Sequence, residues 1–348
     1  MTLQSKNMET LELTNRESQV LQALVKSYVA IGEPVASRTL GKREELGISA
    51  ATIRSTLAQL EEKGFVKQPH TSAGRVPADK AYRFYVEECM SKDYALPEGE
   101  DVELQLALGA KLQEGNIDEI LGQLAKVVGD ISQQLGLVMA PRFELGVFHK
   151  MELVELTEKR LLMVVTIDQG LVKSLTIEVE SRVSREDLDL VSRLLNERLH
   201  GLTMAELRHS VRERLQSVNV GNPQLLRVVS EEIEGLSQPS SADLHVAGTS
   251  NICLQPEFQD PFKVAGLMNL VERKDALVHL LQDREGMVVT IGEENIPRAM
   301  RVCSMVTASY EVGGMVGVLG VIGPTRMPYS RVVALVNYAA SRAADLVS

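Results

Sequence analysis

The stretch between Thr14 and Pro77 constrains the fold more than any other, because its start and stop signals come in a fixed order. Thr14 followed three residues later by Glu17 is a capping box, in which hydroxyl and carboxylate satisfy backbone N–H groups at a helix start. Val20, Leu21, Leu24, Tyr28 and Ile31 then recur on one helical face, and Gly32 and Pro34 end the run. A second short helix is predicted over 37–46, with Leu40 and Leu46 inward and Gly47 at the turn. Ser49 caps a third helix, predicted over 50–63 and stopped by Gly64. Residues 65–70 read as a strand, 71–74 as a turn in which Gly74 is free to take a positive φ, and Arg75 and Val76 as a return strand closed by Pro77. Helix, turn, helix, then hairpin is the order of a winged helix. A helix predicted over 79–89 follows, with Tyr82, Phe84, Tyr85 and Val86 read as core, a dimer contact being the alternative.

On a wheel of the third helix, Ile53, Leu57 and Leu60 share one face, while Ala51, Arg54, Ser55, Ala58 and Gln59 fall on the other. Small and hydrogen-bonding side chains suit a helix that enters a major groove about 12 Å wide and reaches base edges. An ordinary amphipathic surface helix shows the same wheel. The hairpin tip from His70 to Arg75 offers hydroxyls and a guanidinium for phosphates or a minor groove. The chain carries a net charge of −10, yet between Pro34 and Arg83 nine basic residues stand against five acidic ones. A locally basic module on an acidic body is compatible with DNA, because the local potential is what meets the phosphates.

Beyond it, residues 94–103 read as a linker, followed by a helical region predicted to run to Pro141. From Gly146 the pattern turns β-rich, with an antiparallel meander over 147–156, 160–167 and 171–179 and a hairpin turn at Asp168-Gln169-Gly170. Capped helices follow at Ser184, Thr203 and Asn222-Pro223, then a strand over 244–252 running into a turn. One helical stretch is predicted from Asp260-Pro261 to Leu281, then strands over 286–291, 302–310 and 315–322 and a closing helix over 329–347. Strands before and after a helical block suggest one α+β domain carrying an insertion.

Other function classes find little support. The 348 residues contain six histidines and three scattered cysteines, Cys89, Cys253 and Cys303, with no metal-ligand or nucleophile spacing. Neither a catalytic motif nor a cofactor is expected. Gly313, Gly314, Gly317, Gly320 and Gly323 invite a phosphate-loop reading and hence a ligand sensor, but fit neither GxGxxG nor GxxxxGK[ST], and the interleaved Met315, Val316, Val318 and Leu319 suit a packed strand. The polar start of the chain and the lack of a run of about 20 apolar residues lead to an expected cytoplasmic location.

Several strings resemble the HrcA family of heat-inducible transcription repressors: Gly32 to Leu40 (GEPVASRTL), Ala51-Thr52-Ile53-Arg54, Gln68 to Pro77 (QPHTSAGRVP), Tyr82 to Val86 (YRFYV), Gly248-Thr249-Ser250-Asn251 and Gly320 to Met327 (GVIGPTRM). The likeness spans nearly the whole chain. It implies an α+β fold with a winged-helix domain at 1–93, a linker at 94–103, a GAF-like domain in two segments at 104–183 and 262–348, and a mainly helical dimerisation domain inserted at 184–261. It further implies a homodimer on an inverted-repeat operator of chaperone and chaperonin operons, released on heat stress, with the GroEL chaperonin promoting the active form. Two residues depart from the family's usual string: Ser55 stands for Asn and Thr56 for Asp. Carried onto this sequence, Thr52, Arg54, Ser55 and Gln59 are expected to face bases, and Arg38, Thr39, His70, Ser72 and Arg75 to hold phosphate or minor groove. The inserted domain is the expected seat of heat lability, because losing the dimer uncouples the half-sites.

Overall fold

A computed structural model of the chain describes residues 13–43, 46–71, 73–91, 96, 99, 117–142, 144, 146–167, 172–216, 222–236 and 241–347. The linker expected at 94–103, the break near Gly115-Asn116, the turn at 168–170 and Ser72 lie wholly or mostly outside them.

The N-terminal unit contains α1 (Asn15–Ile31), α2 (Ser37–Arg43), α3 (Ala50–Glu62), the strands β1 (Val66–Lys67) and β2 (Val76–Pro77), and α4 (Asp79–Met90). The capping box forms: Glu17 N–H donates to the Thr14 hydroxyl at 3.3 Å, and the Glu17 carboxylate accepts from Thr14 N–H at 2.8 Å. Gly32 closes α1 in the left-handed region at φ 76°. Ser49 caps α3 by accepting from Thr52 N–H. Each hairpin strand is only two residues long, paired Val66 to Pro77 and Lys67 to Val76. Proline lacks the N–H that would extend the ladder, and both Pro69 and Pro77 sit in this hairpin.

Two sheets make up the rest. The larger is fully antiparallel in the order β7 (Leu244–Ala247), β3 (Leu135–Met139), β10 (Met315–Pro324), β9 (Cys303–Val312), β8 (Val288–Ile291). Helices cover both faces. Val138, Val306, Ala308, Leu319 and Val321 point to the face packed by α5 (Ile117–Ser132) and α12 (Tyr329–Val347), where the N-terminal unit joins the same core. Leu137, Met139, Met305, Val318 and Ile322 point to the opposite face, toward α9 (Thr249–Cys253), α10 (Pro261–Glu272) and α11 (Lys274–Leu281).

The smaller sheet joins β4 (Phe148–Thr157), β5 (Arg160–Ile167) and β6 (Val172–Glu178) in that order. One face packs on α6 (Arg185–Leu199), α7 (Met204–Gln216) and α8 (Pro223–Leu236), giving this central unit a core of its own around Phe148, Met151, Met163, Leu195, Leu207 and Val229. Asn196 pins α6 to β4 by accepting from Met151 N–H at 2.7 Å and donating to its carbonyl at 2.9 Å.

Several expectations need correction. The helical region predicted up to Pro141 ends at Ser132. Gln133 adopts φ 56°, and the apolar run from Leu135 is a fully buried strand rather than a helical face. The meander belongs with the helices of the central unit and not with the larger sheet, while β7, expected inside the insertion, is that sheet's edge strand. The expected turn after β7 is the short helix α9, and the stretch 261–281 is two helices broken at Arg273, whose ψ of 65° is non-helical.

Candidate nucleic-acid interface

The outer face of α3 is held in place from behind. Ile53 and Leu60 are fully buried and Leu57 nearly so, each burial contributing roughly 1.5–3 kcal/mol. Thr56 is also buried and donates to the Thr52 carbonyl at 3.0 Å, so the departure from Asp at this position lies in the core side of the helix. Lys63, just past the end of α3, pairs with Glu17 at 2.7 Å and ties α3 to the start of α1. That pairing, first, and the Thr14 backbone bond, second, hold the Glu17 carboxyl below its ordinary value. With its back fixed, α3 leaves Ala51, Arg54, Ser55, Ala58 and Gln59 exposed along a rod about 20 Å long by its rise per residue. Thr52 is half-buried, its hydroxyl 2.9 Å from that of Ser49.

Beside this face lies the hairpin, and its placement is tighter than the sequence suggests. Val35 and Arg75 form an isolated antiparallel bridge, with bonds of 3.0 and 2.9 Å in the two directions. Gly74 is therefore glycine for a reason other than the one expected: its φ is not positive, but a Cβ there would run into the Val35 backbone. Gln68 donates to the carbonyls of Thr71 at 2.9 Å and Ala73 at 3.0 Å, doing for the tip what the missing ladder bonds would have done. Neither Gln68 nor Val35 stood out as a site residue, since a long polar side chain and a lone valine carry no motif.

The predicted residues divide on inspection. Arg38, Thr39, Arg54, Ser55, Gln59 and His70 are exposed, on α2, α3 and the hairpin. Arg75 is largely covered and pairs with Glu61 of α3 at 2.8 Å. The basic count is also partly spent inside the molecule. Lys63 pairs with Glu17, Arg83 with Glu294, and Lys80 donates to the Lys63 carbonyl with its ammonium 4.4 Å from the Phe65 ring centre. Arg38, Lys42, Arg54 and Lys67 remain exposed. A rigid helix with small and hydrogen-bonding side chains outward, flanked by exposed cations, has the chemistry to read base edges while neutralising phosphates.

The glycines of the rival ligand-sensor reading are accounted for by packing. Gly313 and Gly314 form the two-residue turn between β9 and β10 with φ of 59° and 73°. Side chains at 317, 320 and 323 would collide with Tyr310, with the β9 backbone and with Gln134. Among the described residues no group of His, Cys, Asp and Glu is placed to hold a metal ion, and no helix is long and apolar enough to cross a membrane.

The family model for the HrcA protein C-terminal domain matches residues 118–333. The heat-inducible transcription repressor HrcA of Prosthecochloris aestuarii is 40% identical, over 96% of this chain and 98% of that one. The chain belongs to the HrcA family. A second HrcA relative, from Natranaerobius thermophilus, is 37% identical over 94% of both chains, and a third, from Chlorobium limicola, is 38% identical over 96% of this chain and 97% of that one. These HrcA relatives are named as transcription repressors, a non-enzymatic role, and DNA is the partner that such a role implies. A crystal structure of a hypothetical protein at 2.2 Å resolution shares the fold over 97% of this chain and 99% of that one, with a TM-score of 0.64 at 23% identity.

Proposed function

We propose that the chain is a cytoplasmic homodimeric repressor of chaperone and chaperonin operons, in which the N-terminal unit is a winged helix that reads one half of an inverted-repeat operator. The observation that carries this reading is the exposed side of α3, with Arg54, Ser55 and Gln59 outward on a helix fixed by Ile53, Leu57, Leu60 and the Lys63–Glu17 pair. Thr52, Arg54, Ser55 and Gln59 face bases. Arg38, Thr39, His70, Ser72 and Arg75 hold phosphate or minor groove, Arg75 from within its pairing with Glu61. We assign dimerisation to the central unit, which has its own core and exposes Val154, Leu156 and Val172. The larger sheet with its helices then corresponds to a GAF-like domain. Release on heating fits the relatives' naming as heat-inducible repressors, and assistance by GroEL is part of the same proposal. Footprinting of the purified protein on an inverted-repeat operator, with and without GroEL, tests the reading. Two protected half-sites about one helical turn or a multiple apart are expected. Protection that ignores the repeat overturns it.

A further inference from the structure

The N-terminal unit is gripped by the body at two polar points with an aromatic contact alongside them. At the first, Arg326 follows β10 and donates from Nη1 to the carbonyl of Val29, in the last turn of α1, at 3.0 Å. Its guanidinium lies beside Gly32, the residue that ends α1. Glu257 aims it, accepting from Nε at 2.5 Å. Tyr329 steadies the approach by donating to the Thr325 carbonyl at 2.8 Å. At the second point, Arg83 of α4 donates from Nε to Glu294 at 2.8 Å, makes a further contact from Nη2 to the same carboxylate, and reaches the Val289 carbonyl at 2.7 Å. Asp79, at the start of α4, accepts from Glu293 N–H at 3.1 Å. Alongside them Tyr82 packs on the fully buried Tyr329, with ring centres 5.9 Å apart.

None of these groups lies on α3, yet they join the unit that carries α3 to the body. The two arginines approach from opposite partners. Arg326 belongs to the body and caps a helix end of the N-terminal unit, while Arg83 belongs to the N-terminal unit and forks onto the body. The Arg83 fork and the capping bond from Arg326, together with the Tyr82–Tyr329 contact, add directional restraint to the apolar core that the two parts share.

We propose that Arg326 with Glu257 and Arg83 with Glu294 are positioning residues, which set the spacing and facing of the two half-sites that the dimer accepts without touching DNA themselves. The inference rests on the dimeric repressor reading above. The test measures anisotropy on duplexes whose half-sites are moved apart by zero, two or five base pairs, and on a single half-site. The wild type is compared with Glu257→Ala/Glu294→Ala, with Arg83→Glu, and with the exchanged pair Arg83→Glu/Glu294→Arg. The wild type should prefer one spacing by roughly tenfold or more, and the double alanine variant should fall to about threefold or less, with single half-site affinity within about twofold and an unchanged salt slope. Arg83→Glu should lose the preference and the exchanged pair should regain part of it. A spacing preference kept by the variants, or half-site affinity falling in step with it, overturns the positioning role while leaving the repressor reading intact. A wild type that binds no inverted repeat above a scrambled duplex overturns both.

Discussion

Arg54 and Arg75 belong to one basic stretch but are held in opposite ways. Arg54 stands exposed on α3, and Arg75 is folded against Glu61. Arg54→Ala should therefore relax discrimination between operator and scrambled duplex by about 1–3 kcal/mol, measured as a ratio of dissociation constants. Equal discrimination by the variant would remove Arg54 from the base-reading set. Glu17 offers a test of the scaffold beneath. Its folded-state pKa is depressed by Lys63 and Thr14, so its contribution is present above the unfolded value, near 4.3, and is lost as pH falls through the folded one. Because the Lys63 side of the pair is part-exposed to solvent, the contribution is about 1 kcal/mol. Glu17→Gln should lower stability to urea by that amount at pH 7, and the gap should close progressively below about pH 4. A gap that widened in acid would contradict the assignment.

The hairpin is the element in which small residues decide most. Gly74→Ala forces a Cβ into the Val35 backbone, so the bridge to Arg75 must open. The variant should melt lower and bind all duplexes more weakly, with thermal denaturation and anisotropy agreeing, whereas a variant as stable as the parent would show that the bridge is dispensable. Caps and periodicity made α1 and α3 legible in the sequence, because each has one apolar stripe and a local stop signal. The exposed positions of α3 followed from the same stripe. What stayed hidden depended on distant partners. Leu135 to Met139 has no alternation because both of its faces are covered, and so it prolonged the apolar pattern of the helix before it. The meander carries no local mark of which sheet it joins. Likewise the basic count could not reveal that Lys63, Arg75 and Arg83 are paired within the chain.

At the scale of the molecule, the N-terminal unit and one face of the larger sheet share a continuous core, while the central unit has its own. The two cores should open separately, with amides of α4, α12 and β9 exchanging as one group and those of β4 to β6 as another. If the central unit holds the dimer, heating should release DNA and dissociate the dimer together, which light scattering on the protein–DNA complex can follow. Release from an intact dimer would place the lability elsewhere. In the proposed function α3 reads an operator from a basic surface on an acidic chain. Fluorescence anisotropy on the inverted-repeat duplex and on its scrambled counterpart, across a salt series, is the deciding measurement. Selective binding that weakens steeply with salt is expected, with a slope near −0.9 for each phosphate contacted. Equal, weak binding to both duplexes at every salt concentration, with or without GroEL, would contradict it.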